Sequence, residues 1–208
     1  MRDKLRFSAS VLCLLAAAIL LTIYLAWLFY PLEISYFALP DKVHLKAETI
    51  QCNFNILMNY LTNPFSQKLS MPGFRSSAAG LHHFQAVKYL FHLAQAVFLL
   101  TLPALIFFIK KVVKKGFLAL YQRSLFILSV LPFVMICLAG LIGFNNFFTL
   151  FHQVLFVGDN TWLFDPAKDP VIWILPEEFF MHAFILFALL YEGIFLSLYF
   201  FSRKTRSQ

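Results

Sequence analysis

Four stretches of the chain, 9–30, 89–109, 124–144 and 183–201, are apolar almost throughout, and each is 19 to 22 residues long. At a rise of about 1.5 Å per residue, roughly 20 helical residues cross a hydrocarbon core about 30 Å thick. The pattern predicts an all-α membrane protein with four transmembrane helices, read as a single integral membrane domain over 1–208. The polar stretches 31–88 and 145–182 are long enough for structure of their own, and both are expected to contribute to a helical cap.

Within 31–88, Pro31 opens the segment and Pro40-Asp41 marks a turn. Ile50, Phe54, Leu57, Met58 and Leu61 then fall on one face of a helix, and Asn63-Pro64 stops it. Such a helix lies on the lipid surface or caps the bundle. Residues 70–80 are small and turn-forming and read as a loop, which ends in Leu81-His82-His83-Phe84 at the head of the second span. In 145–182, Phe148, His152 and Phe156 share a face at four-residue spacing, while Phe147, Phe151, Val154 and Leu155 make another. Asp165-Pro166 and Asp169-Pro170 are turn dipeptides, with Trp162 and Phe164 as interfacial anchors. Pro176-Glu177-Glu178 suits the first turn of the last span, where proline fits and carboxylates meet the positive end of the helix dipole.

Composition sharpens this picture. Hydrophobic residues make up 61% of the chain and charged residues 13%, which excludes an ordinary soluble domain, where roughly a quarter are charged. The net charge of +7 would suggest a nucleic-acid partner, but its distribution argues otherwise. Eleven of the 17 Lys and Arg residues lie before residue 9, in 110–123 or in 203–206, whereas 31–88 and 145–182 together carry eight of the ten acidic residues. By the positive-inside rule both termini and the 110–123 loop are cytoplasmic, and the two long segments face outward. The first apolar run is expected to be a retained span rather than a cleaved signal, because it continues for a full crossing into Trp27, Phe29 and Tyr30. Three cysteines, of which Cys13 and Cys137 fall within spans, imply no disulfide framework.

Phosphate loops, zinc-protease pairs, serine elbows and Cys-x-x-Cys motifs are missing. What remains is His44, His82, His83, His92, His152 and His182, all on the outer half by this topology. A lone interfacial histidine is most often an amphipathic anchor. His83 and His152 stand apart, because each lies near the outer end of a span where a bundle can bring them together, and neutral imidazole both accepts and returns a proton near pH 7. A histidine-based membrane metallo-hydrolase, with Asp165 or Asp169 as carboxylate ligand, is an alternative without diagnostic spacing, and a nonenzymatic membrane assembly factor is another. Glu192, in mid-span, is expected to face inward, either protonated or paired with Gln95 or Arg123.

The strings Phe151-His152-Gln153, Leu155-Phe156, Trp162, Phe164-Asp165-Pro166, Asp169-Pro170-Val171-Ile172 and Ile174-Leu175-Pro176-Glu177 resemble the bacterial lipoprotein intramolecular transacylase (Lit) family. The likeness is close over 147–182. It is weaker at His83-Phe-Gln-Ala-Val-Lys88, where the family carries an acidic residue and this chain has Ala86. The resemblance implies an acyltransferase of the bacterial cytoplasmic membrane, with its active site at the outer face. Such an enzyme moves the sn-2 acyl chain of a diacylglyceryl lipoprotein onto the α-amino group of the lipoprotein's N-terminal cysteine, giving the lyso form. It further implies His83 and His152 as catalytic residues, Trp162, Asp165 and Asp169 as contacts for the substrate headgroup or α-ammonium, diacylglyceryl lipoproteins and membrane lipids as partners, and neither cofactor, metal nor nucleic acid.

Overall fold

The computed structural model describes residues 2–206, with side chains from 3 to 204. The first residue and last two of the 1–208 domain reading lie outside the described residues. Apart from one isolated bridge, Met71 to Phe74, the regular structure is helical.

Helix α1 spans Arg2–Tyr36, α2 Leu39–Val43, α3 Ala47–Thr62, α4 Ala78–Phe108, α5 Gln122–Ile142, α6 Phe144–Leu155 and α7 Glu177–Arg206. A π-turn, Ile109–Val113, extends α4, and short 3-10 segments occupy Phe117–Tyr121 and Pro170–Ile174. Among the described residues, four helical stretches are long and apolar enough to cross a membrane: Asp3–Tyr36, Ala78–Val113, Phe117–Ile142 and Glu177–Lys204. The chain is a multi-pass membrane protein, and each apolar run except for the end of the third lies within one of these stretches. Along α5, Ile127, Leu131, Phe133, Val134, Ile136 and Leu141 are exposed, as side chains solvated by acyl chains should be.

The helices overrun the apolar runs. Pro31, expected to open a polar segment, sits inside α1, which continues to Tyr36 and ends where Ala38 turns left-handed at φ 49°. Likewise α4 begins at Ala78, so His82 and His83 lie in its first two turns rather than on a loop leading to it. Backbone hydrogen bonding carries a helix past its apolar stretch until a turn residue or a missing N–H stops it.

The residues form two compact units. One gathers those up to Thr22, Ala94–Phe144 and those from Phe184 on; the other gathers Ile23–Leu93 and Asn145–Ala183. The first has a core of Phe108, Leu118, Leu125, Tyr191 and Phe195, against which Phe7 and Tyr121 stack with centroids 4.5 Å apart. Both carboxylate oxygens of Glu192 are buried there without a hydrogen-bond partner among the described residues, so the expected pairing with Gln95 or Arg123 is not made.

The second unit centres on α3. Ile50, Phe54, Leu57, Met58 and Leu61 are all buried, as their spacing predicts, and α3 is capped at Asn63. Tyr30 stacks on Phe54 with ring centroids 3.4 Å apart, and its hydroxyl donates to the carbonyl of Ile174 at 2.6 Å. One aromatic side chain thus ties α1 to α3 and to the Pro170–Ile174 segment. The connection from Asn63 to Ser77 is irregular, as expected, yet fastened. Asn53, itself buried on α3, accepts the Gly73 N–H at 2.9 Å, Lys88 donates to the Ser66 carbonyl, and Arg75 donates to the Ala167 carbonyl.

Candidate active site

The site is built on the first half of α4, up to Leu93, and on α6 from Asn145, stretches that both belong to the second unit. Phe148 and His152 on α6, with Phe156 just past its end, form the four-residue stripe, and this face carries the aromatic contacts. The His152 ring lies 4.3 Å from Phe148 and 5.8 Å from Phe156. On the other expected stripe Phe147 is buried, but Val154 and Leu155 are exposed. His152 Nδ1 lies 2.8 Å from the Phe148 carbonyl oxygen, one turn back. A carbonyl only accepts, so Nδ1 carries the hydrogen and Nε2 keeps its lone pair. Burial pushes the His152 pKa below the ordinary 6.5, against the smaller opposing pull of that hydrogen bond, so the ring is a neutral base at pH 7.

On α4, His83 is buried and faces His152, with ring centroids 5.9 Å apart. Its walls are Phe156 at 4.9 Å and Phe164 at 5.5 Å, both edge-on. Trp162 closes the other side by stacking on His152 at 4.8 Å and 28°. Two imidazoles from separate elements therefore share one aromatic enclosure. Two polar atoms in this cluster, His83 Nδ1 and Trp162 Nε1, are buried with no hydrogen-bond partner.

Of the adjacent histidines, the structure sends His82 outward, where its Nε2 meets Asp159 Oδ2 at 3.1 Å. Asp159 also accepts the Thr161 N–H at 2.8 Å. Thr161, and then His82, hold its carboxyl below the usual carboxylate range. This staple fixes the turn that presents Trp162. Nothing local in the sequence marks Asp159 as the partner of a histidine far away in the chain.

The two other residues expected to meet substrate are not gathered around the imidazoles. Asp165 is exposed, accepts the Ala167 N–H at 3.0 Å and pairs with Lys168 at 3.3 Å; the same two groups lower its pKa. Asp169 is buried, with both oxygens engaged by Ser77: Oδ1 accepts the backbone N–H at 2.7 Å and Oδ2 the hydroxyl at 2.6 Å. Ser77 in turn caps α4 by accepting the Gly80 N–H at 3.0 Å. Asp169 thus anchors the first turn of the helix that carries His83. Gly80 is required beside it, because a Cβ there would come within 2.9 Å of the Phe164 ring and strike the Asp169 carboxylate.

Elsewhere, His182 Nδ1 lies 3.0 Å from both carboxylate oxygens of Glu33, and His92 Nε2 is buried without a partner. Among the described residues, no three His, Cys, Asp or Glu side chains converge in a set able to hold a metal ion, so the metallo-hydrolase alternative lacks its ligand cluster.

The family model of the lipoprotein intramolecular transacylase Lit matches residues 5–180. The chain belongs to this family. The solved structure of the membrane integral lipoprotein intramolecular transacylase Lit from Bacillus cereus is 29% identical, covers 97% of this chain and 94% of its own, and superposes with a TM-score of 0.83. Two histidine variants of that Lit protein, one to arginine and one to alanine, are 26% and 27% identical over 99% of this chain and 94% and 96% of their own, with TM-scores of 0.73 and 0.71. No curated protein matches the chain. The family assignment and the four apolar helices agree with the all-α membrane architecture read from the hydropathy pattern, and the Lit family name denotes a transacylase of lipoproteins.

Proposed function

We propose that the chain transfers the sn-2 acyl group of a diacylglyceryl lipoprotein to the α-amino group of that lipoprotein's own N-terminal cysteine, with His83 and His152 as the acid–base pair. The observation that carries this reading is the placement of His83, buried and facing His152 across 5.9 Å inside an aromatic enclosure. The whole chain acts as one integral membrane domain, with both termini cytoplasmic and the site at the outer face, the leaflet in which lipoprotein acyl chains end.

The nucleophile is the substrate's amine, so no serine or cysteine is needed. Its nitrogen attacks the ester carbonyl carbon and forms the new C–N bond, the carbonyl electron pair moves to oxygen, and His152 Nε2 takes the amine proton. The proton held by His152 passes to His83; on collapse the ester C–O bond breaks and the departing alkoxide takes that proton from the His83 imidazolium, which returns both rings to their starting state with no net proton change. The enclosure holds amine and ester together, which by itself removes much of the barrier. Trp162 and the turn carrying Asp165 border the substrate headgroup, while Asp169 contributes by anchoring α4.

The test is to express the chain in a bacterium whose lipoproteins keep a free amino terminus and to read N-terminal lipopeptides by tandem mass spectrometry. The expected product carries one acyl group on nitrogen and one on glycerol oxygen. Unchanged diacylglyceryl peptides at full expression would overturn the proposal.

A further inference from the structure

Acyl transfer through a tetrahedral intermediate places negative charge on the former carbonyl oxygen, and a water-poor site must offer that oxygen a hydrogen-bond donor. The two imidazoles are occupied with the proton. Against His152 in that enclosure lies the indole of Trp162, whose Nε1 is buried and has no acceptor among the described residues. A buried N–H without a partner is destabilising, and such groups in folded proteins call for a reason.

Chemistry narrows the reason. An indole N–H donates and never accepts, so it has nothing to offer an α-ammonium, the role the sequence left open to Trp162. Its complement is an oxygen acceptor. Position narrows it further: the indole stacks on His152, the base that receives the amine proton, at 4.8 Å and 28°. The indole is also held in place. His82 and Thr161 both bond to Asp159 in the turn just before it, and Phe164, two residues on, packs on His83 and on Phe84. A fixed donor of this kind suits charge that appears only in the transition state, because nothing need reorganise when it forms.

We infer that Trp162 is a catalytic residue whose Nε1–H donates to the oxyanion formed when the amine attacks the sn-2 ester carbonyl. The inference rests on the transacylase reading of His83 and His152, so its test must fail separately from that reading.

The purified chain in detergent is assayed on a synthetic diacylglyceryl lipopeptide, with turnover of the lyso product followed by mass spectrometry. Three variants are compared: Trp162→Phe, Trp162 replaced by benzothienylalanine, which keeps the bicyclic shape with sulfur in place of N–H, and His152→Ala. Both Trp162 replacements are expected to lower kcat about 10²–10³-fold, the cost of removing one oxyanion donor, with KM held within about threefold. Because benzothienylalanine preserves the stacking on His152, loss of packing does not account for its effect. Wild-type kcat in the benzothienylalanine variant, or a rise in KM alone, would overturn the inference while an inactive His152→Ala leaves the histidine reading standing. An active His152→Ala would overturn both.

Discussion

At the scale of single residues, the Phe148 carbonyl does for His152 what a carboxylate does in many enzymes, since it takes the Nδ1 hydrogen and leaves Nε2 as the base. Burial favours the neutral ring and moves its pKa below 6.5. The neutral form, which is the base, therefore persists to lower pH than in a free histidine. The acid limb of the kcat/KM–pH profile is expected to have its midpoint below 6.5; a midpoint at or above 6.5 would show that burial does not govern this group. The neighbouring pair is separated by substitution. His83→Ala is expected to lose about 10²–10⁴-fold in turnover, the usual worth of an acid–base group. His82→Ala, which loses only an exposed bond to Asp159, is expected to fall by less than tenfold. Equal losses from the two in the lyso-lipopeptide assay would contradict the assignment.

How far the site could be read in advance also differs residue by residue. The surroundings of His152 were legible because Phe148 is one turn back on the same helix and Phe156 four residues on, just past its end, and four-residue spacing records that kind of neighbour. Whether His82 or His83 faces inward was not, since that choice depends on the rotation of α4 about its axis, set by Asp169 and Phe164 from a distant segment. The surroundings of the two aspartates were not legible for a related reason. An Asp-Pro dipeptide signals a turn, and only the fold shows that Asp169 bonds Ser77 while Asp165 stays exposed and pairs with Lys168.

At the scale of elements, the decisive joint is the first turn of α4. Asp169, Ser77 and Gly80 set where that helix starts, and His83 lies one turn beyond. Asp169→Ala strands the half-buried Ser77 N–H and hydroxyl and is expected to cost about 1–3 kcal/mol. Thermal unfolding in detergent measures that loss, and turnover should fall with it even at temperatures where the variant is fully folded. An Asp169→Ala protein with unchanged melting and unchanged turnover would remove the anchor from this account. The existence of α3 was legible from its apolar stripe, and so was its end at Asn63. The ends of α1 and α4 were not, because an apolar run reports the thickness of hydrocarbon to be crossed and says little about where a helix stops. Proline illustrates the limit. Pro31 reads as a boundary, yet it lies inside α1, as Pro103 does inside α4 and Pro132 inside α5.

At the scale of the whole molecule, charge asymmetry and helix count are the grounds for the proposed topology, with 31–88 and 145–182 outside. Cys52 offers a direct check, since its side chain is exposed on α3 within the first outer segment. In intact cells carrying a Cys13→Ser, Cys137→Ser chain, a membrane-impermeant maleimide is expected to label Cys52; labelling only after lysis would invert the topology. In that orientation, the proposal for this member of the lipoprotein intramolecular transacylase family is that His83 and His152 meet the acyl ester and amine of a lipoprotein at the outer face. The central claim is that these two rings perform the transfer. The most direct measurement is the fraction of N-terminal lipopeptide converted to the lyso form by equal amounts of wild type, His83→Ala and His152→Ala, each shown to be folded by its melting curve. Conversion by wild type with near-complete loss in both variants is the expected result, and conversion that survives in either folded variant would contradict it.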